Sequence, residues 1–175
     1  MASSYKDLNQ NEATQRGFNG AALRQELTLG FLQGRSYRAY RKFTASVTLR
    51  FTATKPFMLT EQRLACSQGA AEATIYVGST NGGTYTALPT RFAKNGVFSP
   101  AHVAAVAIDV GGTRTGGTER EVISVNSGAG AGAVSVQNSP RLLPAGTYWI
   151  DIVVTGSTTG VYSVEYEEMV ETLPT

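Results

Sequence analysis

Strict apolar–polar alternation narrows the folds open to this chain more than any other feature. From Phe43 to Thr52, the residues Phe43, Ala45, Val47, Leu49 and Phe51 share one side, and Thr44, Ser46, Thr48, Arg50 and Thr52 the other. A side-chain period of two predicts a strand with one buried and one wet face. Ala71–Val77 repeats it, with Ala71, Ala73, Ile75 and Val77 inward. The glycine-rich stretch Gly78-Ser79-Thr80-Asn81-Gly82-Gly83 then reads as a tight turn, because Asn-Gly supplies positive φ, and Thr84–Leu88 as its return strand. Near the C-terminus, Tyr148, Ile150, Ile152 and Val154 alternate with Trp149, Asp151, Val153 and Thr155. Residues 156–160 turn, and Tyr162, Val164 and Tyr166 face in, which predicts a hairpin. Weaker strands are expected at Phe57–Cys66, Val103–Val110, Glu119–Val125 and Ala133–Gln137. In the first of these the apolar phase shifts between Leu59 and Leu64, the mark of a β-bulge.

Composition agrees. The chain holds 21 Ala, 21 Thr and 19 Gly, scattered so that Gly interrupts helices and Thr favours strands. Leu, Ile, Val and Phe supply 39 of 175 residues and the net charge is only +2, so a modest folded core is expected rather than disorder. The expectation is an all-β chain, an antiparallel β-sandwich or jelly roll of about eight strands. Residues 37–175 form the sandwich domain with a short acidic tail, and residues 1–36 a polar, extended N-terminal arm. In the arm, Leu23, Leu27 and Phe31 have helical spacing, while Leu27, Leu29 and Phe31 alternate as a strand would, and Gly30 favours the strand. Polar termini gain order only when something ties them down, so an ordered arm is expected to lie on a neighbouring subunit. No apolar run approaches the length of a membrane helix and no signal peptide is expected.

Charge is segregated along the chain. Eight basic residues and one acid, Glu26, lie between Arg16 and Lys55; five acids and no base lie between Asp151 and Thr175. Two readings stand: head-to-tail pairing between subunits, or two solvated surfaces that never meet. The segment Arg35-Ser36-Tyr37-Arg38-Ala39-Tyr40-Arg41-Lys42-Phe43 interleaves arginines with aromatics, as single-strand nucleic-acid platforms do. In an extended chain a spacing of three alternates faces, so docking on an acidic protein surface is the stronger reading and nucleic acid is not the expected partner. Arg24, Arg35, Tyr37, Arg38, Tyr40 and Arg41 are the candidate interface residues.

Catalytic chemistry finds little purchase. His102 is the single histidine and Cys66 the single cysteine, with no Gly-x-Ser-x-Gly elbow, so no nucleophilic triad is expected. Asp7, Asp109 and Asp151 are far apart in sequence, and no metal or cofactor is expected. Glu119 with Glu121, and Glu165 with Glu167, are spaced to share a strand face opposite the apolar residues, where solvation explains them better than acid–base work. Gly111–Gly117 and Gly128–Gly132 lack the Lys-Ser/Thr ending of a phosphate loop and read as surface loops.

The run from Leu143 to Gly156, followed by Gly160–Tyr166, resembles the closing hairpin of jelly-roll accessory domains. Together with Thr74–Tyr85 and an Ala/Thr/Gly-rich body behind a polar arm, it is similar to virion structural proteins of tailed bacteriophages, in particular capsid decoration or cement proteins, over most of residues 37–169. The resemblance implies a non-enzymatic protein of the virion, on the capsid surface or tail, made in the host cytoplasm. It implies a homo-oligomer, a trimer among the possible symmetries, contacting the major capsid protein or another virion protein, with no membrane, catalytic residues, metal or cofactor. The alternative is a tail, baseplate or head-fibre module recognising host-surface carbohydrate, with exposed Trp149, Tyr76 and Tyr85 stacking on sugar rings.

Overall fold

The computed structural model describes residues 34–89, 91–94, 104–127, 133–138, 140–156 and 159–169. The described residues form strands and no helix: β1 (Ser36–Phe43), β2 (Val47–Ala53), β3 (Phe57–Cys66), β4 (Gly69–Val77), β5 (Thr80–Ala87), β6 (Arg91–Ala93), β7 (Val106–Thr115), β8 (Thr118–Ser127), β9 (Ala133–Gln137), β10 (Arg141–Leu143), β11 (Gly146–Thr155) and β12 (Gly160–Glu168). They make two antiparallel sheets packed as a sandwich. The first runs β10-β3-β12-β1-β6, with β9 also paired to β3; the second runs β5-β7-β2-β11-β4-β8. The all-β antiparallel sandwich is therefore observed, with twelve strands against the expected eight or so. Residues 1–33, including Arg24 and the alternative readings around Leu27, lie outside the described residues, as do His102 and Gly128–Gly132.

Period-two alternation places the core. Leu49, Phe51, Ile75, Ile108, Ile123, Ile150 and Ile152 of the second sheet meet Tyr37, Phe57, Leu64, Tyr162, Val164 and Tyr166 of the first, all buried. Tyr166 is the hub. Its ring stacks on Tyr37 at 5.4 Å and meets Phe57 and, across the sandwich, Phe51 edge-on at 6.0 and 6.4 Å. Such ring pairs add about 1 kcal/mol each beyond their buried area. The bulge expected in β3 is present: Glu165 faces Glu61 and Tyr166 faces Leu59, leaving Thr60 as the extra residue. That single insertion lets Phe57 and Leu59 point inward alongside Gln62 and Leu64. Gln62 is buried and accepts the Tyr162 hydroxyl proton at 2.7 Å, which satisfies both polar groups inside the core.

Four expectations are corrected. The Phe43–Thr52 strand is two strands: Phe43 ends β1, the chain bends at Thr44-Ala45, and β2 begins at Val47. Ala45 is consequently exposed, since a corner between sheets overrides local alternation. The C-terminal hairpin is an arch: β11 pairs with β2 and β4, whereas β12 pairs with β1 and β3. Their apolar faces agree with the sequence reading but meet across the sandwich instead of sharing a sheet. Asn81-Gly82-Gly83 is no turn. β4 and β5 run on through Gly78-Ser79 and never pair; each pairs instead with one half of β8 or β7, Val77 with Thr118 and Thr80 with Thr115. Finally, Gly111–Thr115 belongs to β7 rather than to a surface loop. Its glycines take positive φ (94° at Gly111, 59° at Gly112) within an irregular stretch opposite β5. A Cβ on Gly112 would stand 2.4 Å from a Tyr85 ring carbon, so glycine here makes room for an aromatic ring.

One buried carboxylate ties the sheets together. Glu168, 1% exposed, ends β12 and accepts the backbone N–H groups of Ala105 and Val106 at 2.9 Å each, where β7 of the other sheet begins. Its own N–H donates to the Arg35 carbonyl at 3.0 Å. Replacing Glu168 with Ala leaves one buried and one part-buried donor without an acceptor and is expected to cost about 2–4 kcal/mol, read as a lower urea midpoint. Glu168→Gln keeps one of the two acceptor oxygens and sets an NH2 group against the other N–H, so it should be destabilising too.

Candidate functional site

The outer face of the first sheet follows from the inner one. With Tyr37, Ala39 and Phe43 pointing in from β1 and Tyr162, Val164 and Tyr166 from β12, the residues Arg38, Tyr40, Lys42, Ser163 and Glu165 point out. Arg38 stands between Phe92 on β6 and Glu165 on β12, and Glu165 stands beside Glu61 on β3. The Glu165 carboxylate takes Arg38 on one oxygen, through Nε at 2.8 Å and a second guanidinium nitrogen, and Lys94 Nζ on the other. Burial pushes this carboxyl up, but the hydrogen bonds from Lys94 and Arg38 outweigh it and hold the group below its ordinary value. Tyr40 stacks on Phe92 at 6.1 Å.

Apolar side chains rim this charged ladder. Phe92 is 53% exposed at one edge; Val134, Val136 and Leu142 are exposed at the other. The far edge is unusual. In β9, Val134 and Val136 take the outward positions, while Ala133, Ser135 and Gln137 face the sandwich interior. The sequence reading placed a strand over Ala133–Gln137, residue for residue, but gave it no phase. Alternating Val and polar residues name a strand without saying which set is buried.

The candidate interface residues separate. Arg35 and Tyr37 are buried, the former with a guanidinium nitrogen on the Glu168 carbonyl oxygen, the latter stacked on Tyr166. Arg38 is exposed on the outer ladder and Tyr40 is half-buried beside Phe92. Arg41 takes an inward position opposite Tyr162. Arg24 lies outside the described residues. Arg35 and Arg41 thus share one face and Arg38 the other, so the arginines form no stripe along the strand, as spacing by three requires. Ser36 begins β1 and is buried with Arg35, so both pack with the body. The segregated charges meet, and do so inside one chain: β1 is hydrogen-bonded along its length to β12.

Of the aromatic trio on the second sheet, Trp149 is buried, and Tyr76 and Tyr85 are half-buried with a guanidinium over each ring. Trp149 is 5% exposed and donates its indole N–H to Asn81 Oδ1 at 3.1 Å. The Arg114 guanidinium lies 3.1 Å from the centre of the Tyr76 ring, and that of Arg50 4.4 Å from that of Tyr85. Those cations are themselves paired, Arg50 with Asp109 and Arg114 with Asp151, both at 2.6 Å. The two aspartates, distant in sequence, share one sheet face, yet the described residues contain no cluster of three metal-ligating side chains. Cys66 is buried with its thiol toward the Gly69 carbonyl.

The carboxylate pairs also differ from expectation. Glu119 and Glu121 do not share a face, because a register shift opposite Ile75/Tyr76 inserts Arg120 between them. Glu119 pairs with outward Tyr76; Glu121 pairs with inward Ile75, and its side chain is only 6% exposed. Glu165 and Glu167 do share the outer face, but they are enclosed by neighbours instead of solvated, Glu167 being 3% exposed. No family model and no curated protein matches the chain.

Because Glu165 titrates lower folded than unfolded, its contribution to stability is present above the ordinary value near 4.5 and is lost as pH falls through the folded value. Glu165→Gln should therefore flatten the acid side of the stability–pH curve and cost about 1 kcal/mol at neutral pH, measured by urea melts from pH 7 downward.

Proposed function

We propose that this chain is a non-enzymatic structural module that works by docking the outer face of its first sheet onto neighbouring protein. One observation carries the reading. Of the six large apolar side chains that stand exposed among the described residues, four (Phe92, Val134, Val136 and Leu142) rim this one face. Exposed apolar groups at both edges of a partly desolvated charged centre are the composition of a protein–protein contact. The ionic groups support the same reading. Glu165, Glu168, Asp109 and Asp151 hold strands and amides in place, which is structural work.

The resemblance to tailed-phage virion proteins supplies the setting. In that reading the sandwich decorates or cements a capsid, its partners being further copies of itself and the major capsid protein, with residues 1–36 adding contacts. Many weak, symmetrically repeated contacts then hold strongly, because each binding event raises the effective concentration for the next.

An antibody to the full chain should label intact phage particles purified from a lysate carrying this gene. The Val134→Glu/Val136→Glu double variant should change stability by no more than about 0.5 kcal/mol, since both side chains are exposed, yet be missing from the particles. A wild-type chain that is absent from purified particles and sediments as a monomer at every concentration would overturn the proposal.

A further inference from the structure

Strand register lays the outer face of the first sheet out as a grid. Across β3, β12, β1 and β6 one row reads Glu61, Glu165, Arg38, Phe92. The row beside it, starting from β9, reads Val136, Arg63, Ser163, Tyr40. This grid is uneven from one side to the other. Aromatic Phe92 and Tyr40 hold the β6 edge, and aliphatic Val134, Val136 and Leu142 the β9–β10 edge. Behind the latter, Gln137, Arg141 and Glu121 line a cavity and Glu121 pairs with Arg141, so the outward aliphatic groups are what that edge presents to another molecule. Charge is uneven too. Apart from Arg63, the bases (Arg38, Lys42 and Lys94) lie on the β1 side, while the acids Glu61, Glu165 and Glu167 lie on β3 and β12. Glu165 takes both Arg38 and Lys94, whereas Glu61 and Arg63 have no ion-pair partner among the described residues.

A surface whose two halves differ but complement each other fits a second copy of itself. A two-fold axis lying in the interface, parallel to the strands and over β12, carries each edge of one copy onto the opposite edge of the other. With strands about 4.8 Å apart, β3 then faces β1 of the second copy, and β6 faces its β9–β10 edge. Glu61 is set against the partner's Arg38. Exposed Arg63 is set against the partner's Tyr40 ring, a cation over an aromatic face. Phe92 falls in the interval between Val136 and Leu142, because neither β9 nor β10 pairs with Glu61. Glu165 lies on the axis and meets its own copy, and it is the carboxylate that brings two cations of its own. An axis running across the strands would instead put like edges and like charges together. Five strands and the eight residues of β1 give a footprint of about 650 Å² before side-chain relief is counted, against about 800 Å² per partner in specific interfaces.

We infer that the outer face of the first sheet closes on a second copy of this chain in a two-fold dimer. Phe92 of each copy seats between Val136 and Leu142 of the other, and Glu61 faces Arg38 on both sides of the axis. The inference rests on the docking reading above and narrows it to one partner, the chain itself, in one register.

The test is sedimentation velocity on the full chain. The wild type should sediment as a dimer at micromolar concentration. Phe92→Lys and Val136→Glu, at positions 53% and 48% exposed, should each be monomeric where the wild type is dimeric, with near-ultraviolet circular dichroism reporting a folded chain. Their equimolar mixture should form a heterodimer: the new cation at position 92 of one chain meets the new carboxylate at position 136 of the other, and the second Phe92–Val136 contact is untouched. Glu61→Lys, which sets a cation against the partner's Arg38, should raise the dimer Kd about tenfold, and it carries the test if either edge variant fails to fold. A wild type that sediments as anything but a dimer overturns the inference; if such a chain is still found on purified particles, the docking reading stands without it. Dimers that survive both edge substitutions, or monomers that mixing leaves unpaired, overturn it as well.

Discussion

The pairing of β1 with β12 is the constraint on which the rest of the molecule hangs. These strands join the two halves of the first sheet, since β12 alone links β1 and β6 to β3, β9 and β10. Their register sets Ser36 against Glu167, residues separated by almost the whole described chain. Closing so long a loop costs entropy before it returns contacts, and the return is concentrated at this junction. Tyr166 brings together rings from both sheets, and Glu168 holds the amides that open β7. The segregation of charge then has a physical reason. A basic strand and an acidic one, laid side by side, pair Arg38 with Glu165 on the wet face and Arg35 with the end of β12 in the interior.

The second sheet is organised by a different device. β4–β5 and β7–β8 form one long ribbon whose halves flank β2 and β11, with its corner at Gly78-Ser79 and Gly116-Gly117. At that corner Ser79 donates to the Gly116 carbonyl, and a side chain on Gly117 would run into Ser79. Asn81 and Arg114, on the two strands just past the corner, meet Trp149 and Tyr76 on the outer face of the sheet. Around that corner the face is covered by paired ions and by guanidinium groups lying over rings. The first sheet has no such cover over its Val134, Val136 and Leu142 rim.

Strand β9 carries an inverted phase. Five residues at a sheet edge present valines outward and Gln137 inward, the reverse of what a solvated edge strand ordinarily does. An edge strand with this polarity gains little as core.

Period-two alternation, scattered glycine and the scarcity of His and Cys were enough to determine the all-β class, the bulge in β3, the inward set Tyr162, Val164 and Tyr166, and the exact span of β9. These depend on the side-chain geometry of a single strand, which a linear sequence records. β1 was harder to see because Arg41 occupies an inward position, and β6 and β10 because three residues carry no period. Which strands pair, which glycines mark corners and which lie inside strands, and how Glu121, Gln137 and Arg141 converge were decided only by the tertiary structure. Sheet partners are chosen by burial across the whole chain, and a one-residue shift in register reverses every side chain, so no local window contains that information.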